Sequence, residues 1–275
     1  MESANPQTRP GEEPGFATAA FYRHVLETLH ASAIPFLVGG AYALHRYTGV
    51  NRHTRDLDIF IRRHDLQQVS DALRQVGYTT ELPFPHWLAK VHANGVYIDL
   101  IFSSGNAVAE VDDAWFDYAM DEQVLDIPTR ICPAEEMIWS KAFIMERERF
   151  DGADILHLLR ARAAQLDWPR LFRRFEPHWR VLLAHLTLFG FVYPAQRALV
   201  PAAIMDELIE RLRHETHSPA PQHDICLGTL LSREQYLNDI GPDGLQDGRA
   251  TPLGNMTERD IAIWTQAIPD SHKPH

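Results

Sequence analysis

Two aspartates, Asp56 and Asp58, lie two residues apart inside an apolar run that ends at Ile61. Side chains at this spacing on a β-strand point to the same face, so both carboxylates would share one face of a sheet. Neighbouring ionised carboxylates repel each other, and burying them in an apolar core costs a large free energy. We therefore expect a cation, and not a hydrophobic core, to lie against this acidic face.

Two further features flank the acidic run. Upstream, the apolar residues 36–38 predict a short buried strand that runs into Gly39-Gly40, and a helix pattern follows directly. Glycines at such a junction let the backbone N–H groups of the helix start approach a phosphate. Downstream, Asp99 stands alone in the apolar run 96–102, which predicts a second acidic strand.

The region around Asp99 predicts a hairpin. Asn94-Gly95 is a strong turn signal, so strands over 87–92 and 96–102 should pair antiparallel. The first half of the chain is therefore predicted to be α+β with a mixed sheet flanked by helices. Its other predicted elements are a helix over 16–31, the acidic strand over 56–61, a helix over 64–76, a strand over 78–82 and a last strand over 129–133.

After Pro133 the sequence pattern becomes helical. The prediction places an α+β domain over 16–132 and an all-helical C-terminal domain over 133–268. The polar ends, 1–15 and 269–275, are predicted to be disordered. The helices predicted in the second half cover 134–150, 153–165, 168–175, 178–188, 201–214 and 257–266, with loops over 241–254.

Composition limits the possible partners. The formal net charge of −11 argues against a broad nucleic-acid surface, which requires a basic stripe. One basic cluster, Arg170, Arg173, Arg174 and Arg180, is interpreted as a solvated helix face. The two cysteines lack a zinc spacing, and the chain has neither a signal-peptide pattern nor a run of apolar residues long enough to span a membrane. We expect a cytoplasmic protein without a membrane partner.

The three carboxylates can do specific chemistry. Oxygen ligands of this kind select hard cations, here Mg2+ or Mn2+. Two such ions about 3.5–4 Å apart can stabilise the attacking and leaving oxygens of a phosphoryl displacement. We predict that Asp56, Asp58 and Asp99 converge within about 5 Å and hold metal. Asp99 is the candidate general base, and Gly39 and Gly40 are the candidate triphosphate site.

The order Gly39-Gly40, Asp56-x-Asp58 and Asp99 resembles that of the nucleotidyltransferases of the DNA polymerase β superfamily. More narrowly, Arg52-x-Thr54-x-Asp56-x-Asp58 is similar to a small bacterial branch that includes antibiotic nucleotidyltransferases and AbiEii-like toxins. The resemblance covers residues 30–105 and implies a nucleotidyltransferase-like fold. It also implies transfer of a nucleoside monophosphate from an NTP to a hydroxyl acceptor, with Mg2+ and release of pyrophosphate.

In the toxin branch a helical motif with a lysine and a later aspartate follows the core, and Lys141 with Asp151 and Asp154 resembles it. The resemblance makes Lys141 a candidate triphosphate contact, and the alternative is an ion-paired helix lysine. Asp151 is interpreted as a helix N-cap. Thr54 either contacts the nucleotide or shapes the loop before the acidic strand.

Several alternatives stay open from the sequence alone. The competing hypothesis is a catalytically silent module of the same fold that binds a nucleotide or a partner. For an active enzyme, the acceptor is a small molecule, a protein or tRNA. The six tryptophans are predicted to be core residues and not stacking platforms: Trp87, Trp115, Trp139, Trp168, Trp179 and Trp264.

Overall fold

The computed structural model describes residues 15–51, 56–93, 95–222, 224–241 and 244–268. Thr54 and Asn94 therefore lie outside the described residues, and so do the predicted disordered ends except for Gly15, which is exposed. None of the described helices combines the length and the apolar composition needed to cross a lipid bilayer.

A seven-stranded mixed sheet forms the centre of the first half. Its strands are β1 (Leu37–Val38), β2 (Asp58–Phe60), β3 (Thr79–Phe84), β4 (Leu88–Ala93), β5 (Val96–Ile101), β6 (Met120–Val124) and β7 (Ile127–Ile131). Their spatial order is β3-β4-β5-β2-β1-β7-β6. The pairs β2–β5 and β1–β7 are parallel, and the other pairs are antiparallel. The predicted mixed sheet and the predicted β4–β5 hairpin are confirmed.

Four helices accompany this sheet: α1 (Phe16–Ala31), α2 (Gly40–Thr48), α3 (Leu66–Gln75) and α4 (Asp113–Asp117). α1 has the predicted bounds, because its residues Val25, Leu26 and Leu29 recur at helical spacing and are fully buried. α1 packs against α3 and β7. α1 therefore covers part of the sheet. The junction between β1 and α2 lies beside the acidic strand β2.

The second half is mainly helical. Its helices are α5 (Ala134–Ala142), α6 (Gly152–Arg162), α7 (Trp168–Arg174), α8 (Trp179–Val192), α9 (Ala202–Thr216) and α10 (Glu258–Gln266). Two short strands, β8 (Ile225–Cys226) and β9 (Gln246–Asp247), pair in parallel, so this half is not entirely helical as predicted. α5 contacts α6, α7 and α8, and α2 contacts α6, which joins the two halves.

The helix predicted over 134–150 was wrong in its second part. α5 ends at Ala142, and Met145 forms an isolated β-bridge with Phe150. The backbone N–H of Met145 donates to the carbonyl of Leu231 at 3.0 Å, from a segment far along the chain. In a continuous helix, the N–H of Met145 would donate to a carbonyl of the preceding turn. Its partner is instead distant in sequence, and the apolar periodicity of one segment cannot reveal such a partner.

The prediction of a solvated basic face was wrong for Arg170. It is correct for Arg173, which is exposed. The Arg170 side chain is buried on α7 and forms ion pairs with Glu135 (2.6 Å) and Glu136 of α5. Arg174 donates a hydrogen bond to Glu136 at 3.1 Å. Burial raises the pKa of Glu136 even though both arginines oppose the shift. This cluster stabilises the packing of α5 against α7, so it is structural.

Candidate active site

The β1–α2 junction places backbone against a carboxylate. Gly40 adopts φ +55°, a conformation that favours glycine, and an added Cβ would lie 1.6 Å from Asp58 Oδ2. The preceding N–H, that of Gly39, donates to the Asp58 carbonyl at 3.0 Å. Because the first turn of a helix leaves N–H groups without helical partners, α2 presents donors next to the acidic strand.

Asp56, Asp58 and Asp99 converge. One carboxylate oxygen from each residue lies within 4.8 Å of the others, and all three residues are half-buried. Asp58 begins β2 and lies directly opposite Asp99 in the parallel β2–β5 register. Asp56 precedes the strand instead of belonging to it, so the strand predicted over 56–61 is shorter than expected.

The carboxylates of the cluster act on one another through their charges. Burial, together with the charges of the neighbouring Asp56 and Asp99, raises the pKa of Asp58 to about 7. Burial also raises the pKa of Asp99, against the opposing effect of Lys90. The Lys90 ammonium donates to Asp99 Oδ1 at 2.6 Å, from a position directly across the β4–β5 hairpin. The carboxylates would therefore be stabilised by additional positive charge.

Lys90 is a candidate functional residue that the sequence interpretation missed. The signal was present, since counting back through the Asn94-Gly95 turn places Lys90 opposite Asp99. The prediction of the hairpin was therefore sufficient to pair a cation with the third carboxylate.

A second group of carboxylates lies on the helical side. The Lys141 ammonium contacts Asp151 Oδ2 at 2.8 Å and Asp154 Oδ2 at 3.0 Å. Arg149 donates to both oxygens of Asp151 at 3.0 Å. Burial raises the pKa of Asp151, but these donors outweigh it and hold the value at about 2. The ion-paired interpretation of Lys141 is thus observed.

The N-cap interpretation of Asp151 was only partly correct. Asp151 occupies the residue before α6, but its side chain makes no capping hydrogen bond. The carboxylate faces Lys141 and Arg149 instead and forms charge-assisted hydrogen bonds with both cations.

A cavity of about 860 Å³ joins the two carboxylate groups. The residues that line it include Gly40, the three converging aspartates, Lys141, Arg149 and residues of the C-terminal part of the chain. Its volume falls in the range of roughly 300–1,000 Å³ that small-molecule and cofactor sites occupy. The described residues therefore combine a carboxylate cluster suited to divalent cations with a helix start suited to phosphate.

The sequence as a whole was compared with known families. Residues 16–189 match a family described as uncharacterised nucleotidyltransferase. Because this match covers more than half of the chain, the chain belongs to that nucleotidyltransferase family, and the resemblance stated from the motifs is confirmed. Among proteins with curated descriptions, none matches the sequence.

Solved structures give distant similarities. An antigenic nucleotidyltransferase-like protein from Paracoccidioides brasiliensis is 13% identical, with a TM-score of 0.47 over 70% of this chain and 94% of that one. The antibiotic-resistance factor ANT(2'')-Ia is 15% identical, with a TM-score of 0.43 over 62% and 96%. The lincosamide adenylyltransferase LnuA, bound to lincomycin, is 18% identical, with a TM-score of 0.36 over 51% and 94%. The family assignment rests on residues 16–189.

Proposed function

We propose that this nucleotidyltransferase moves a nucleoside monophosphate from an NTP to a hydroxyl acceptor, with a divalent metal and release of pyrophosphate. The observation that carries the proposal is the convergence of Asp56, Asp58 and Asp99, with one oxygen of each within 4.8 Å. This separation allows the three carboxylates to share one or two ions.

The donor chemistry fits Mg2+ or Mn2+. All three ligands are carboxylate oxygens, the type that these hard cations prefer. The raised pKa of Asp58 reflects burial beside two like charges, an arrangement that a cation would relieve. When bound, the ions would stabilise negative charge on the attacking and leaving oxygens.

The residues divide the remaining work. The charges of both other carboxylates act on Asp58, so Asp58 would be a ligand of the metal. Asp99 has Oδ1 held by Lys90 at 2.6 Å, which leaves Oδ2 for the metal and for the acceptor proton. Asp56 completes the ligand set. We assign the proton-accepting role to Asp99.

The triphosphate would lie against the start of α2, where Gly40 lines the cavity. The N–H of Gly39 already donates to the Asp58 carbonyl, so the proposed phosphate donors belong to the first turn of α2. Lys141 lines the same cavity and remains a proposed triphosphate contact, while its ammonium also pairs with Asp151 and Asp154. Thr54 remains a proposed nucleotide contact on the basis of its motif alone.

The test supplies each NTP, labelled at the α-phosphate, with Mg2+ or Mn2+ and a cell extract as the source of acceptors. We expect a labelled acceptor and free pyrophosphate with the wild-type chain. Asp58→Ala and Asp99→Ala should each lower transfer by at least about a hundredfold, the size typical of lost electrostatic stabilisation.

The matched control is Asp121→Asn, which alters an aspartate whose side chain is 95% exposed and which does not line the cavity. It should transfer label at the wild-type rate. Melting temperatures of all variants identify any loss of folding. Wild-type rates in Asp58→Ala and Asp99→Ala would contradict the proposal.

A further inference from the structure

Part of the cavity is built by residues beyond the family match. The match ends at residue 189, yet residues 229–234 and Trp264 all line the cavity beside the carboxylates. We refer to these seven residues as the C-terminal wall. Its position indicates a role that the family match does not describe.

The C-terminal wall is attached at both sides of the cavity. On the sheet side, Asn106, in the loop after β5, donates through Nδ2 to the Leu230 carbonyl at 2.7 Å. On the helical side, the N–H of Met145 donates to the Leu231 carbonyl at 3.0 Å. Ser232 Oγ donates to Glu146 Oε2 at 2.5 Å. The wall therefore links the strand that carries Asp99 to the loop after α5.

Trp264 is the planar element of the C-terminal wall. Its ring lies against Gly105, where an added Cβ would approach a ring carbon to 2.8 Å. Phe84 and Trp87 hold it edge-on, with ring centroids at 4.9 and 5.4 Å. The Arg233 guanidinium lies 4.8 Å from its centroid. Trp264 is only half-buried, so these contacts fix an aromatic surface that lines the cavity.

The sheet topology shows at which end of the cavity this aromatic surface lies. Gly40 follows β1, on one side of β2, whereas Asp99 is on β5, on the other side. Ile101 shares the face of Asp99 and also lines the cavity, one pleat repeat closer to the end of β5. Trp87 lies at that same end, because its carbonyl accepts from Phe102 at 3.0 Å. The aromatic surface is thus beyond Asp99, away from the phosphate end.

Resting on the proposed function, we propose that the acceptor is a small molecule whose reactive hydroxyl adjoins a planar or apolar face, and that Trp264 selects it by stacking. A nucleotide uses part of the cavity of about 860 Å³, and the remainder fits a small ligand. The C-terminal wall borders this end of the cavity, and hydrogen bonds attach it to the loop after β5 and to the loop after α5. The net charge of −11 also disfavours tRNA as the acceptor.

The experiment separates the cell extract by ultrafiltration into small molecules and macromolecules, and offers each fraction with NTP labelled at the α-phosphate and Mg2+. The wild-type chain should label a compound in the small-molecule fraction. Trp264→Ala and Trp264→Leu, which both lack a planar face, should lower kcat/KM for that compound at least tenfold, or about 1.4 kcal/mol. Trp264→Phe should retain most transfer.

Two readouts distinguish acceptor selection from a structural effect. The Kd for the Mg2+–NTP complex should stay at the wild-type value in the Trp264 variants, since the wall lies away from the phosphate end. Arg259→Ala is the matched control, because Arg259 is exposed on the same helix and does not line the cavity. It should change neither quantity.

The outcomes separate the two proposals. Label only in macromolecules, wild-type transfer by Trp264→Leu, or parallel loss of NTP binding would overturn the acceptor assignment and leave the proposed function standing. Absence of transfer to both fractions by the wild-type chain would overturn the proposed function, and the acceptor assignment with it.

Discussion

Two groups of aspartates line one cavity and differ in their charge balance. Asp56, Asp58 and Asp99 lie on the sheet side, where Lys90 contacts Asp99 at 2.6 Å. On the helical side, Asp151 and Asp154 share Lys141, and Arg149 also pairs with Asp151. The pKa of Asp58 is raised to about 7, whereas that of Asp151 is lowered to about 2.

The difference separates the proposed metal site from a structural contact among residues of the same type. The helical group already has its cations, so Asp151 is stably ionised, and the contacts of Lys141 with Asp151 and Asp154 hold α5 to the start of α6. In the sheet group the pKa of Asp58 is raised, so a bound cation would stabilise its ionised form. Residue type alone does not distinguish these states, but the balance of neighbouring charges does.

The largest expected effect of a substitution is on the helical group. Asp151→Asn should lower the free energy of unfolding by about 3 kcal/mol, because it removes a buried carboxylate from Lys141, which keeps only Asp154, and from Arg149. Chemical denaturation measures this change, and Asp206→Asn, at an exposed position on α9, is the control. A loss no larger than that of the control would contradict the structural role of the helical group.

The pH dependence tests the sheet group. Asp58 has a folded pKa of about 7 and an ordinary value of 3.8, so the folded chain binds an additional proton between these values. The contribution of Asp58 to the free energy of unfolding is therefore fully present below pH 4. This contribution, at most about 4 kcal/mol, is lost as the pH rises to about 7. Denaturation of the metal-free chain across this range should show the fall, and saturating Mg2+ should reduce it. A flat profile without metal would contradict the assignment.

Asp58→Asn should sharpen the same contrast. The amide keeps the shape of the side chain against Gly40 and removes one of the repelling charges, so we expect the metal-free chain to gain about 1–2 kcal/mol at pH 7. Nucleotidyl transfer should be lost. Thermal unfolding without Mg2+ measures the gain in stability. Thermal unfolding with Mg2+ tests metal binding, since the variant should lose most of its stabilisation by the metal. A less stable metal-free variant would be the opposite result.

The smallest effect concerns Lys90. Lys90→Gln removes the ammonium that opposes the raised pKa of Asp99, so the acidic limb of the pH–rate profile should move to higher pH. Lys90→Arg retains the charge and should leave the profile close to that of the wild type. Superimposable profiles for Lys90→Gln would show that Lys90 does not act on Asp99.

The fold of the first half was largely accessible from the sequence, because its signals are local. The apolar spacing of α1, the Asn94-Gly95 turn and the strand-glycine-helix junction each depend on a few consecutive residues. From the hairpin and the acidic strands, convergence of the carboxylates followed by topology. The prediction missed α4 and β6 entirely, and it was inexact at strand ends, since Asp56 lies just outside β2.

The rest depended on partners distant in sequence. Arg170 seemed solvated on its own helix, but Glu135 and Glu136 lie more than thirty residues upstream and bury it. Trp115, Trp139, Trp168 and Trp179 are core residues as predicted. Trp87 and Trp264 line the cavity instead, and periodicity could not show that α10 returns to the sheet.

The strand register restricts where this chain can change in length. Asp58 and Asp99 are exact cross-strand partners, and Lys90 meets Asp99 from the other side. One residue inserted between Gly95 and Asp99 would turn the third carboxylate toward the buried face and bring an apolar neighbour to the cavity. Insertions at the hairpin tip leave this alternation intact. Relatives that use the same three carboxylates are therefore expected to differ in length at their turns and to keep the spacing along β5.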